Sequence, residues 1–292
     1  MANLFLQYCF HPTTSDALWE DAIRTGVTKQ MPYAKLRELC SPAKREEIYT
    51  QLMNGSYPID IPHAALIPKN EIDPETGKPK YRTVYVNRPE VRVLFRVCNA
   101  ALFKLFADWI HPTCTSYREG VSYMSSVMDF STSLCEWREA GWTGDDHRIG
   151  VKSDLSKYFD RVPREYIDQV LDRIEASVGG DDMLIDYLRR FYHTDAYYRD
   201  HRRKELIHEY RSLKQGCAVA AFLADVILYD LDERLSRLNV KYMRYCDDQI
   251  FVGPEYMKGY DIMVSHLHGM QMDINEKKRT QINEKALSEQ LG

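Results

Sequence analysis

The segment that most restricts how this chain can fold is VKYMRYCDDQIFVG, residues 240–253, where two apolar-alternating runs flank the adjacent acids Asp247 and Asp248. Alternation with a period of two is the signature of a half-buried strand, so the segment is predicted to form a β-hairpin with its carboxylates at the turn. A further acid, Asp154, closes the run RIGVKSDL, which follows the loop GWTGDDH at 141–147 and reads as a short strand. Carboxylates carried by separate rigid strands are what two divalent cations need when they assist an in-line phosphoryl transfer, because hard cations take oxygen ligands converging from several directions. An isolated Asp-Asp pair is more often a solvated turn, so the weight rests on what surrounds it.

The 292 residues, 44% of them apolar, suffice for one large or two small globular units. Residues 1–55 hold short helical patterns, such as AKREEIYTQL from Ala43 with Ile48 and Leu52 one turn apart, and are predicted to be a helical extension. From Ile61 to Val86, IPHAALIPK and YRTVYV flank the turn-rich NEIDPETGKP, which predicts a hairpin ending in positive charge. Val91, Leu94, Phe95, Cys98, Leu102, Leu105, Phe106 and Trp109 recur at helical spacing between Glu90 and Ile110. Pro163 opens a helix with Ile167, Val170, Leu171, Ile174 and Val178 on one face. Another helix follows Gly179-Gly180, then a basic, Tyr-rich stretch to Arg211, then one helix from about Ala218 to Leu235 with Val219, Leu223, Val226, Ile227 and Leu231 inward. A helix near 255–270 and a strand near Gln281 complete an α+β pattern.

The formal net charge of −4 shows no global excess of the cations that bind phosphate backbones, although RRK at 202–204 and EKKR at 276–279 give local positive runs. Seven scattered cysteines without a C-x-x-C pair indicate neither a disulfide framework nor a zinc site, and suit a reducing cytoplasm. The most apolar stretch, AVAAFLADVILY at 218–229, is too short to span a bilayer and carries Asp225, so no membrane partner is expected.

Three ordered motifs carry a resemblance. YCDD at 245–248 resembles the Y-x-D-D hairpin of reverse transcriptases, VKSDLSKYFD at 151–160 resembles their first palm motif, D-x-x-x-[FY]-F-D, and SLKQGCAVAAFLADVILYDLD at 212–232 resembles their Q-G motif and following palm helix. With IPK at 67–69, Arg82, SYREGVS at 116–122 and DINEKKRTQI at 273–282, the likeness runs from about 50 to 292. It implies a right-hand polymerase fold, α+β, whose antiparallel palm sheet is backed by helices. Its parts would be a helical extension at 1–55, fingers with part of the palm at 56–150, and palm at 151–292 with a fingers insertion near 180–211; a thumb is not expected within this chain. The look is that of bacterial or mobile-element members, near intron-encoded, retron, diversity-generating or phage-defence types.

The resemblance also implies roles. Asp154 and Asp247 would be the principal ligands of Mg²⁺, with Mn²⁺ as the alternative, joined by Asp248 and the Leu155 carbonyl. Phe159, five residues after Asp154, stands where the family has an aromatic steric gate against the ribose 2′-hydroxyl. Lys69 and Arg82 match contacts to the incoming triphosphate, with Lys80 nearby as an alternative; Gln215 and Gly216 match residues against the nucleotide and template. Lys278, or Lys277 beside it, matches the lysine that protonates pyrophosphate, and Arg118 an arginine near the template path. The implied reaction is RNA-directed addition of dNTPs to a DNA or RNA primer on an RNA template, with a cognate structured RNA as a further partner. Two departures stand out: Ala220-Ala221 where many members have Ser-Pro, and Asp225 where they have Asn. Rival readings are an RNA-dependent RNA polymerase, against which Phe159 and Gln215-Gly216 speak, and a non-catalytic, maturase-like RNA-binding module, against which the retained aspartates speak.

Overall fold

The computed structural model describes residues 3–28, 31–72, 76–117, 123–144, 148–200 and 205–283. The chain divides into two units, Met1–Ala107 with Arg164–Leu223, and Asp108–Pro163 with Ala224–Gly292. The strands among the described residues are β1 (His63–Ile72), β2 (Pro79–Val86), β3 (Arg148–Asp154), β4 (Asp195–Asp200), β5 (Glu205–Tyr210), β6 (Lys241–Tyr245), β7 (Asp248–Val252) and β8 (Thr280–Asn283).

In the first unit the N-terminal extension is helical as the sequence predicts: Leu4–Phe10, Pro12–Thr28, Tyr33–Leu39 and Pro42–Met53. Phe5, Leu6, Trp19, Leu36, Ile48 and Leu52 are buried among these helices. The buried carboxylate of Asp182 caps its own helix, Met183–His193, by accepting from the Leu184 and Ile185 amides, and its second oxygen accepts from Phe5 and Leu6 at 2.8 and 3.0 Å. One acid thereby satisfies orphan donors of two helix starts. The apolar run after Glu90 forms the helix Pro89–Leu105 and ends in a single 3₁₀ turn, Ala107–Trp109.

The sheet of this unit has the order β2-β1-β4-β5, antiparallel except for β1 beside β4. The β4–β5 hairpin corrects the reading of residues up to Arg211 as a merely basic stretch. Aromatic and apolar residues, paired as Tyr197 with His208 and Tyr198 with Ile207, are interspersed with charges that mask their alternation.

The second unit holds the sheet β6-β7-β3-β8, antiparallel throughout, with register running from Gly150↔Val252 to Asp154↔Asp248. Phe130, Ile149, Met243, Ile250, Val252 and Ile282 form a cluster on one face, with Leu134, Trp137 and Trp142 packed against it.

A second correction concerns the helix predicted from Ala218 to Leu235. It is two helices, Val219–Ile227 and Tyr229–Leu235, broken at Leu228. The carbonyls of Ala224 and Asp225, which would accept from the next helical turn, instead accept from the Tyr158 hydroxyl at 2.7 Å and from Arg244 Nη2 at 2.8 Å. Side-chain donors inserted into the i→i−4 ladder are a sufficient cause for such a break.

Candidate active site

Asp154 ends β3 and Asp248 begins β7, and the two stand opposite one another in register. Asp247 occupies the β6–β7 turn, where its backbone carbonyl accepts from the Leu155 amide at 3.0 Å. Three carboxylates and the peptide after Asp154 are thus fastened together by backbone pairing alone. The Asp247 carboxyl is pushed up to about 6, first by burial and then by the charge of Asp154.

Lys278 Nζ lies 2.8 Å from Asp154 Oδ2, and Asn275 Nδ2 donates to the other oxygen at 3.2 Å. Burial pulls the Lys278 ammonium down, but the hydrogen bond and charge of Asp154 outweigh it and hold its pKa above the usual value. Of the two lysines the sequence offers here, Lys278 is the one that reaches the carboxylates. Asn275 was not singled out from sequence. Its amide also donates to the Asp154 carbonyl at 2.8 Å, and the only cue was its place in the DINEKKR stretch.

Among the described residues no group of three His, Cys, Asp or Glu side chains forms a ready-made ion cage. Asp154 is turned toward Lys278 and Asn275, and the pairing of β3 with β7 holds the acidic residues near one another. The donor set nonetheless suits a hard divalent cation: it is all oxygen, comes from two paired strands and their turn, and includes Asp247, whose carboxyl is raised first by burial and then by the charge of Asp154.

The two aromatics after Asp154 have separate duties. Tyr158 is fully buried and anchors its short helix, Tyr158–Arg161, through its hydroxyl, whereas Phe159 is half-buried with its ring 5.8 Å from that of Tyr158. The core position therefore belongs to Tyr158, and Phe159 is left available to something outside the core.

The remaining candidates belong to the first unit. Arg82 is exposed on β2, opposite Ile67, and Lys80 lies two residues before it on the same strand; Lys69 is half-buried on β1. Gln215 and Gly216 form a turn against β2, where the Tyr85 amide donates to the Gln215 carbonyl at 2.6 Å. Gly216 has φ +110°, and a Cβ there would sit 2.9 Å from the Tyr85 carbonyl oxygen. The close approach it permits is thus to the backbone of β2. Arg118 and the RRK run lie outside the described residues.

Two buried cations escaped the sequence reading. Arg244, two residues before the turn on β6, and Lys214, immediately before Gln215, are both wholly inaccessible to solvent. For Arg244 the available signal was the alternation Tyr242, Arg244, Cys246 on one face of the strand; for Lys214 there was none.

The model of the reverse transcriptase (RNA-dependent DNA polymerase) family matches residues 67–289. The chain belongs to this family. No curated protein sequence matches it. Among solved structures it is similar to apo telomerase of Candida tropicalis truncated from the C-terminal domain, at 14% identity and TM-score 0.51 over 88% of this chain and 56% of that one. It is equally similar to the Candida albicans telomerase solved with a fragment of telomeric RNA, at 14% identity and TM-score 0.51 over 93% of this chain and 48% of that one. The Sicinivirus RNA-dependent RNA polymerase gives 12% identity and TM-score 0.50 over 82% and 49%. The chain spans about half the length of these structures, and at such identity the likeness is one of fold. That fold is the α+β fingers and palm of polymerases, with the antiparallel sheet β6-β7-β3-β8 as the palm sheet. Among the described residues no helix is long and apolar enough to cross a membrane.

Proposed function

We propose that this chain is the fingers and palm of an RNA-directed DNA polymerase, adding deoxynucleotides to a primer 3′ end on an RNA template. The observation that carries the reading is the meeting of Asp154, Asp247, Asp248 and Lys278 at one end of β3 and β7, with the half-buried Phe159 five residues after Asp154. Divalent cations held by the three aspartates, with the Leu155 carbonyl as a further ligand, would supply charge stabilisation for in-line phosphoryl transfer and lower the pKa of the primer 3′-hydroxyl.

The chain's own residues do the rest. The backbone pairing of β3 with β7 fixes the spacing of the carboxylates, so little reorganisation accompanies reaction. Lys278, kept protonated by Asp154, is a proton donor for the leaving pyrophosphate. Arg82 and Lys69 contribute cations for the triphosphate, for which a guanidinium offers paired donors. Phe159 excludes the 2′-hydroxyl of a ribonucleotide.

Primer extension on an RNA template, with dNTP-only and rNTP-only reactions for the parent and Phe159→Ala, tests this reading. The parent is expected to use dNTPs, and the variant to gain ribonucleotide use relative to deoxynucleotide by about tenfold or more, since the discrimination is a steric contact worth a few kcal/mol. An unchanged ratio would remove Phe159 from the gate, and preference of the parent for rNTPs would overturn the DNA-polymerase assignment.

A further inference from the structure

The turn that presents Asp247 is held in an unfavourable conformation. Cys246 has φ +58°, the left-handed region, which is unfavourable for a residue with a side chain and persists only where neighbours over-determine it. Both backbone groups of Cys246 have dedicated side-chain partners. Its N–H donates to Ser116 Oγ at 3.1 Å, and its carbonyl accepts from Arg244 Nη1 at 3.3 Å.

These partners are themselves immobilised. Ser116 Oγ donates to Asp225 Oδ1 at 2.6 Å. The guanidinium forks onto Asp232, Nε to Oδ1 at 2.9 Å and Nη2 to Oδ2 at 2.6 Å, and Nη2 also donates to the Asp225 carbonyl at 2.8 Å. The Tyr242 hydroxyl donates to the same Asp232 Oδ1 at 2.8 Å. The strand backbone locks the register: the Arg244 amide donates to the Thr113 carbonyl, and the Arg244 carbonyl accepts from the Thr115 amide. Arg244, Asp225, Asp232 and Ser116 are all fully buried. This network also makes sense of Asp225 at a position where the resemblance leads one to expect Asn: its side chain and its carbonyl each anchor one of the two groups that grip Cys246.

We propose that Arg244, with Ser116 as its counterpart, is the positioning residue of the active-site turn, gripping the peptide of Cys246 from both sides so that Asp247 is held in its place. The proposal rests on the polymerase reading for its consequence in turnover, and on hydrogen bonds alone for the grip itself. A lysine at 244 would keep the charge that Asp232 needs but not the planar fork that reaches Asp232, Asp225 and Cys246 together. That separates positioning from mere charge balance.

The test compares the parent, Arg244→Lys and Ser116→Ala by melting temperature, by backbone amide hydrogen exchange over residues 243–249 and over the helix Tyr256–Gly269, and by dNTP incorporation resolved into kcat and KM. For Arg244→Lys the expected result is exchange at the turn at least about tenfold faster with the helix unchanged, kcat lower by about tenfold to a hundredfold, and KM within about twofold, since misplacement of reacting groups by about 1 Å has that effect. Ser116→Ala, which leaves the ion pair intact, is expected to shift the same two readouts in the same direction by less. The proposal is overturned if Ser116→Ala matches the parent in both exchange and kcat, or if Arg244→Lys speeds exchange in turn and helix alike, which would make the arginine a general stabiliser. A parent that incorporates nothing would sink the polymerase reading instead, while the exchange measurements still decide the grip.

Discussion

Two turns of this molecule present family motifs, and each is backed by a buried cation, yet the two cations live in opposite electrostatic surroundings. Behind the Cys246–Asp247 turn, Arg244 is forked onto Asp232 with Asp225 beside it; burial pulls its pKa down, but the charge of Asp232 more than restores it, well above the usual value. Before the Gln215–Gly216 turn, Lys214 has a carbonyl and three rings: Nζ donates to the Tyr192 carbonyl at 3.2 Å and lies 5.1 to 5.5 Å from the ring centroids of Phe191, Tyr192 and Tyr210. Burial brings its pKa down to about 7. The first cation is permanent and holds a strained turn by directed hydrogen bonds. The second is held by one carbonyl and by ring faces, and its burial is not offset by such a carboxylate fork.

The comparison would break most visibly at Arg244→Met. Removing one partner of a buried pair leaves Asp232 uncompensated, and a loss of roughly 3–5 kcal/mol in urea unfolding is expected. A loss below about 1 kcal/mol would mean the guanidinium carries no such burden. Next comes Gly216→Ala, which must fit a Cβ 2.9 Å from the Tyr85 carbonyl at a left-handed φ. A loss of about 2 kcal/mol by the same measurement is expected, and a neutral result would show that this turn has freedom the geometry denies.

The smallest effect, and the one of opposite sign, belongs to Lys214→Met. The folded-state pKa of Lys214 lies below its unfolded value, so between about pH 7 and 10 the folded chain binds fewer protons than the unfolded one. Stability from this group is therefore present at high pH and falls as pH drops toward 7. Methionine removes that penalty. The variant is expected to melt a few degrees above the parent at pH 7.5, with the gap closing by pH 10, the favourable ring contacts of the ammonium keeping the gain modest. A gap independent of pH would assign the effect to packing alone.

The same contrast explains what could be read in the sequence. The β6–β7 hairpin, β3, β8 and the helices Pro89–Leu105 and Arg164–Ser177 were legible because their apolar residues recur at local periods of two or 3.6. Asp154 and Asp247 were legible as candidates because they stand at the end of such a strand and at the turn of such a hairpin, whereas Lys278 was legible only through the family resemblance. The β4–β5 hairpin was not, since charges interrupt its alternation, and neither was the break at Leu228, which depends on donors from Tyr158 and Arg244 far away in sequence. Arg244 and Lys214 were missed for a related reason. A charged residue is ordinarily at the surface, and nothing local announces the distant carboxylates or rings that make its burial tolerable.

The most direct test of the central claim is incorporation of dNTPs on a primed RNA template by the parent and by Asp247→Ala, with RNA affinity measured on the same preparations. The expected result is template-matched extension by the parent, a loss of about a thousandfold or more in the variant, and RNA affinity within about twofold, because the lost group is a carboxylate at the chemistry and not a cation on the phosphate backbone. Extension by Asp247→Ala at the parental rate would contradict the assignment of this turn as the catalytic centre.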